Sequence, residues 1–188
     1  ADGCAMNTNL ANPVAQGINN SATVLEYADY GSLYGNIRLE AGRRLHIAAH
    51  PEFSFKIFVP SSRITGNQPN QVVLTLQHSN VISPWQSQTQ IVKPIILDQW
   101  QVVSFNFITD QYVNFDPNSP VPAARTDFDR ILIQVNGENN TDKVVAYIDD
   151  FLYVDNTPLP PPPVVYSQLV WSDEFNSNGA LDDSKWFH

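Results

Sequence analysis

Residues Phe53 to Val59 read "FSFKIFV". In an extended chain successive side chains point to opposite faces. Phe53, Phe55, Ile57 and Val59 then share one side, and Ser54, Lys56 and Phe58 the other. A helix needs apolar residues three to four positions apart, whereas here the period is two and the residues are aromatic or β-branched. The stretch predicts a strand with one face in a core.

The pattern recurs on both sides. "LYGNIRL" (33–39) sets Leu33, Ile37 and Leu39 on one face, and "RLHIAAH" (44–50) does so with Leu45 and Ile47. "VVLTLQH" (72–78) opposes Val72, Leu74 and Leu76 to Val73, Thr75 and Gln77. "WQVVSFNF" (100–107), "RILIQVN" (130–136) and "KVVAYIDDFLY" (143–153) continue the theme. Between them lie turn formers: "EAGR", "PSSRITGNQPNQ", "DPNSPVP" and "NGENN". No long stretch carries an apolar stripe at helical spacing. Short strands with turn punctuation predict an all-β fold, an antiparallel β-sandwich of the jelly-roll kind. The first twenty residues, "ADGCAMNTNLANPVAQGINN", read as irregular.

Composition narrows the function. The 188 residues are 43% hydrophobic and 15% charged, which is globular rather than disordered. The net charge is −9 and the sequence contains no lysine- or arginine-rich run. That excludes the electrostatic footprint of a nucleic-acid binder and favours neutral ligands over polyanionic ones. A single cysteine, Cys4, excludes an intrachain disulfide and a cysteine zinc cluster. The four histidines lack metal-binding spacing, and neither a G-x-S-x-G elbow nor a phosphate loop is present. No apolar run approaches a membrane-spanning length.

"PLPPPPVV" (158–165) is a polyproline spacer, a semi-rigid rod that separates folded units. It divides the chain into a sandwich over 1–157, the linker, and a second unit over 166–188. That last segment, "YSQLVWSDEFNSNGALDDSKWFH", resembles the opening of the catalytic domain of glycoside hydrolase family 16 through Leu169 to Asn176, Leu181-Asp182 and Lys185-Trp186. The family's catalytic strand carries two glutamates and an aspartate at alternate positions, which share a face and suit a retaining mechanism. None of the five glutamates here, Glu26, Glu40, Glu52, Glu138 and Glu174, is followed two residues later by Asp. The tail therefore reads as a stub of that domain, and the chain as no enzyme in itself.

The resemblance implies that the sandwich is a non-catalytic carbohydrate-binding module of a secreted or cell-surface bacterial enzyme. "DDSKWFH" is most similar to the laminarinases of the family, which points to β-1,3-glucan; the family also includes agarases, porphyranases and carrageenases, which keeps agar, porphyran and carrageenan open as ligands. "NPVAQGINNSATVLEYADYG" and "VVAYIDDFLY" also look like the edges of jelly-roll modules of polysaccharide-degrading enzymes. In related modules an aspartate of the last strand often helps hold a structural Ca2+ against the N-terminal segment; carried over, that nominates Asp149 or Asp150. Two adjacent carboxylates on an apolar strand also need a metal, a cation or backbone donors.

Sugar recognition needs flat aromatic surfaces for C–H faces and planar amides for hydroxyls. Trp85 follows a proline in a polar loop with Gln86, Gln88 and Gln90 beside it, and is expected as a platform rather than as packing. Tyr30 and Tyr34, with Tyr27, form a second aromatic cluster that serves either a sugar or the sandwich edge. Gln134 and Asn136 share a side with Arg130, and Lys56 faces away from its apolar neighbours; all four are floor candidates if one sheet is recessed. Trp100, in phase with Val102, is expected in the core. Two other readings compete with the module: a structural or docking sandwich that binds no sugar, and a jelly-roll lyase.

Overall fold

A computed structural model describes residues 1–154. The linker and tail assignments lie outside the described residues. The described chain is all-β, with strands β1 (Ala5–Ala11), β2 (Thr23–Asp29), β3 (Ile37–Glu40), β4 (Glu52–Phe58), β5 (Gln71–Gln77), β6 (Thr89–Pro94), β7 (Gln101–Asn106), β8 (Val113–Asn114), β9 (Arg130–Val135) and β10 (Val144–Tyr153). They form two antiparallel sheets, ordered β1-β2-β10-β4-β7 and β3-β9-β5-β6-β8. The chain passes repeatedly from one sheet to the other, as a jelly roll requires.

The inner faces follow the sequence alternation. Phe53, Phe55 and Ile57 of β4 meet Val72, Leu74 and Leu76 of β5, together with Ile131, Ile133 and Val135 of β9, in one core. Aromatic rings fill its middle: Phe55 stacks on Phe105 at 5.5 Å between centroids, and Phe53 on Tyr153 at 4.4 Å. Such pairs contribute about 0.5–1.5 kcal/mol each beyond the area they bury.

The outer face of the first sheet departs from the alternation. Phe58, expected outward to solvent, is buried with Val24, Ala28, Trp100, Val145 and Tyr147 in a second cluster, against which Leu10 and Val14 pack. The N-terminal segment is the cover. It is not irregular: β1 pairs with β2, and the loop after β1 reaches across so that Trp100 Nε1 donates to the Val14 carbonyl at 2.7 Å. Trp100 is thus buried as expected, but on the far side of the sheet from the main core, and Val102 in the same phase is exposed. Of the three apolar residues expected on one face of "LYGNIRL" only Ile37 is buried, because β3 is a four-residue edge strand that begins there; Leu33 and Leu39 are exposed.

Candidate functional site

The outer face of the second sheet is the recessed one. Cross-strand register sets its rows: Glu40 beside Arg130 and Gln77; Arg38 beside Leu132, Thr75 and Gln90; Gln134 beside Val73 and Val92. These side chains alternate with the core residues and so point away from the core. Yet Thr75, Gln77 and Gln134 are only 6%, 5% and 6% exposed. A polar floor this shielded lies below walls.

The walls make a groove of about 660 Å3, lined along the floor by Gln77, Gln88, Arg38, Arg130 and Leu132, and above it by Tyr34, Trp85 and Phe115. These three aromatics are 54%, 53% and 55% exposed. Four strand intervals of about 4.8 Å separate β3 from β8, so the groove has some 19 Å of sheet to cross.

The aromatic walls are held from below. Trp85 sits in the 3-10 turn Pro84–Ser87. Ser87 Oγ donates to the Pro84 carbonyl at 2.6 Å and accepts the His78 N–H at 2.9 Å, which ties the turn to the end of β5. Gln77 Nε2 donates to Gln88 Oε1 at 3.1 Å and joins the end of β5 to the residue that follows the turn. On the other side, Asp29 caps the Tyr34 loop by accepting the N–H groups of Gly31 and Ser32 at 2.9 and 2.7 Å. Gly35 must be glycine here, since a Cβ would stand 2.4 Å from Asp29 Oδ2. Buried Tyr27 donates its hydroxyl to the Gly35 carbonyl at 2.8 Å. Burial, reinforced by Asp29, raises the Tyr27 phenol well above its ordinary value, so it stays a donor.

The sequence candidates divide accordingly. Trp85, Gln88 and Tyr34 line the groove, and Gln134 shares its face one row along. Gln86 lines a neighbouring cleft with Ser79, Ile82 and Asp127. A 3-10 turn advances about 120° per residue, so Trp85 and Gln88 share a side and Gln86 does not. Tyr30 is exposed outside the groove lining, and Tyr27 is core. Asn136 adopts φ +66° just past the end of β9, which breaks the alternation; its amide is buried without a hydrogen-bond partner. Lys56 is on the other sheet, in β4, and pairs with Asp150 at 2.6 Å, so it does not join the floor. Arg38, Gln77, Phe115, Asn36 and Glu138 were not expected in the groove and do line it. Partial burial pushes the Glu138 carboxyl above its ordinary value.

Asp149 pairs in register with Lys56, and a one-residue bulge of β10 follows it, so that Asp150 and Phe151 together oppose Phe55. Asp150 takes φ +47° and swings out to Lys56. Asp149 stays in, with Oδ1 accepting the Asp150 N–H and Oδ2 buried without a hydrogen bond. The two carboxylates therefore do not act together, and among the described residues no three acidic, histidine or cysteine side chains converge.

No protein-family model matches the chain, and no curated protein does. Solved structures share the fold. One is a carbohydrate-binding module of the β-sandwich superfamily, studied for promiscuous specificity, with a TM-score of 0.50 and 14% identity over 81% of this chain and 54% of that one. This chain thus spans about half the length of that structure. The family 11 carbohydrate-binding module of the cellulosomal cellulase Lic26A-Cel5E of Clostridium thermocellum is similar at TM-score 0.44 and 13% identity over 80% of this chain and 85% of that one. A family 28 module specific for non-crystalline cellulose follows at TM-score 0.38 and 10% identity over 73% and 77% of the two chains.

Proposed function

We propose that this chain is a non-catalytic module that holds a polysaccharide across the outer face of the second sheet. One observation carries the reading: Tyr34, Trp85 and Phe115 stand exposed around a floor of buried Gln77 and half-buried Gln88 and Leu132. Aromatic rings that serve packing are covered; these three are left open, with the Tyr34 loop capped by Asp29 and the Trp85 turn tied to His78 through Ser87. They suit the C–H faces of pyranose rings, and the amides suit their hydroxyls. The fold likeness to a carbohydrate-binding module supports the reading without establishing it, because folds host many functions.

In the parent protein the module concentrates an appended family 16 glycoside hydrolase on its polymer, outside a bacterial cell. Its ligand is a neutral β-glucan, foremost the β-1,3-linked laminarin. The resemblance of residues 166–188 to laminarinases supports the linkage, and the net charge of −9 supports neutrality.

A structural calcium stands beside this as a separate proposal, at Asp149 alone. The support is its buried Oδ2, which accepts no hydrogen bond. Calcium takes six to eight oxygens, so backbone carbonyls would complete the shell.

Affinity electrophoresis of the purified chain tests the reading, with laminarin, mixed-linkage β-glucan, agarose, porphyran, carrageenan and alginate in separate gels. Retardation by laminarin is expected. Free migration on every gel overturns the module reading and leaves a structural sandwich.

A further inference from the structure

The groove contains two arginines, and neither faces a ligand with its charge unanswered. Arg130 Nε donates to Glu40 Oε1 at 2.8 Å, and Arg38 Nε approaches the same oxygen at 3.4 Å. Arg38 Nη1 donates to Asp2 Oδ2 at 2.9 Å. Glu40 lies opposite Arg130 across the β3–β9 ladder, so the register itself delivers the pair. Asp2 and Glu138 line the groove with the two arginines, and Glu40 meets both arginines from outside that lining, where it borders an adjoining cleft with Arg43 and Arg44.

Stability does not explain this arrangement well. The carboxylates of Asp2 and Glu40 are more than half exposed, and ion pairs so placed contribute about 0–1 kcal/mol. Recognition explains it better. A guanidinium fork matches carboxylate and sulfate oxygens, and the Arg130 side chain is only 15% exposed, where charge is poorly screened. Left unpaired, such an arginine would draw uronate or sulfate groups into the groove.

We propose that Glu40 is the specificity gate of the groove: by occupying Arg38 and Arg130 it admits neutral polysaccharide chains and turns away polyanionic ones. This rests on the reading of the groove as a polysaccharide site, and deepens it from where a chain binds to which class is accepted.

The test compares the wild type with Glu40→Gln, which keeps the side chain's shape and a hydrogen-bond acceptor but removes its charge. Glu52→Gln controls for net charge, since Glu52 lies on β4 of the other sheet. All three are run on laminarin, mixed-linkage β-glucan, alginate and carrageenan at low and high salt. The wild type is expected to bind a neutral glucan and neither polyanion. Glu40→Gln should keep neutral affinity within about threefold and gain about tenfold on alginate or carrageenan, a gain that salt removes. Glu52→Gln should gain nothing. If Glu40→Gln holds the glucan but gains no polyanion, or Glu52→Gln gains as much, the gate is overturned and the groove stands. If the wild type binds polyanions directly, the gate is likewise overturned. If the wild type binds no neutral glucan, the groove reading itself fails.

Discussion

Arg125 donates Nη1–H to the carbonyl of Ser87 at 2.7 Å, while its Nε and Nη2 hold both oxygens of Asp127 at 2.9 and 2.8 Å. Its guanidinium lies 4.0 Å from the centroid of the Phe128 ring, with the side chain only 6% exposed. The turn that carries Trp85 is therefore fixed to a buried cation nearly forty residues downstream. Replacing Arg125 with Met removes that anchor and leaves Asp127 without its main partner. The variant should lose on the order of 3 kcal/mol of stability in a urea titration. At temperatures where it is still folded, it should also bind glucan more weakly than the wild type, because Trp85 is no longer held.

Trp85→Ala separates binding from folding. The ring is 53% exposed, so its loss should change the denaturation midpoint by less than about 0.5 kcal/mol. Affinity for the retarding glucan should fall about tenfold or more, as for aromatic anchors elsewhere. A comparable loss of stability with unchanged affinity would return Trp85 to a packing role.

These residues also show what sequence could and could not convey. The strands were legible because period two is a local property: Phe53, Phe55 and Ile57 are core for the reason their spacing implied. The exposure of Trp85 was legible because a proline-led polar turn gives a tryptophan little to pack against. Gln86 falls outside the groove because the turn is a 3-10 helix, which sends it to a different side from Trp85 and Gln88. Lys56 was misplaced because alternation tells which face a residue takes but not which sheet its strand joins; that depends on strand order. Phe58 was misread, and Trp100, though core as expected, lies on an unexpected face of its sheet, for a related reason. Their cover comes from Leu10 and Val14, distant in sequence, so two apolar faces in one sheet look from sequence like a failed alternation. Phe115 and Arg38 carried no local signal, since only folding brings β8 and β3 to opposite sides of one floor.

The N-terminal cover gives a prediction of its own. Trp100→Phe keeps most of the buried ring area but removes the Nε1–H bond to the Val14 carbonyl. It should cost about 1–2 kcal/mol. Trp100→Ala also opens a cavity and should cost about 3–5 kcal/mol. Trp100 lies on the first sheet, away from the groove, so glucan affinity of the folded Trp100→Phe variant should match the wild type. Hydrogen exchange of the β1 amides should rise in parallel.

Acid should weaken the fold in a defined window. Burial works against the charge of Asp127 and of Asp110, but hydrogen bonds from Arg125 and Lys93 outweigh it and hold both carboxyls below the ordinary range. A carboxyl depressed in the folded state stabilises the fold above its unfolded pKa, and that contribution is lost as pH falls through the folded value. Stability measured by denaturant should thus be level from neutrality to about pH 5 and decline below about pH 4. Asp110→Asn should be less stable at pH 7 and show a shallower acid decline. An unchanged acid slope would mean that the Lys93–Asp110 pair at 2.8 Å contributes nothing to folding.

Asp149 poses the sharpest electrostatic question. Its Oδ1 accepts the Asp150 N–H, while Oδ2 is buried without a hydrogen bond. An ionised carboxylate oxygen in that position is costly unless a cation or donor meets it. Asp150, by contrast, is satisfied by Lys56 and turned outward by the bulge. Calcium at Asp149 therefore makes the two neighbours behave differently. EDTA should lower the melting temperature of the wild type by several degrees, with recovery on adding calcium. Asp150→Asn should keep that response and lose only a surface ion pair. Asp149→Asn should melt low from the start and ignore EDTA, because the amide lacks the charge that a calcium shell draws on. If EDTA leaves the wild type unchanged and Asp149→Asn is the more stable protein, the buried oxygen carries an uncompensated cost, and the calcium proposal is withdrawn.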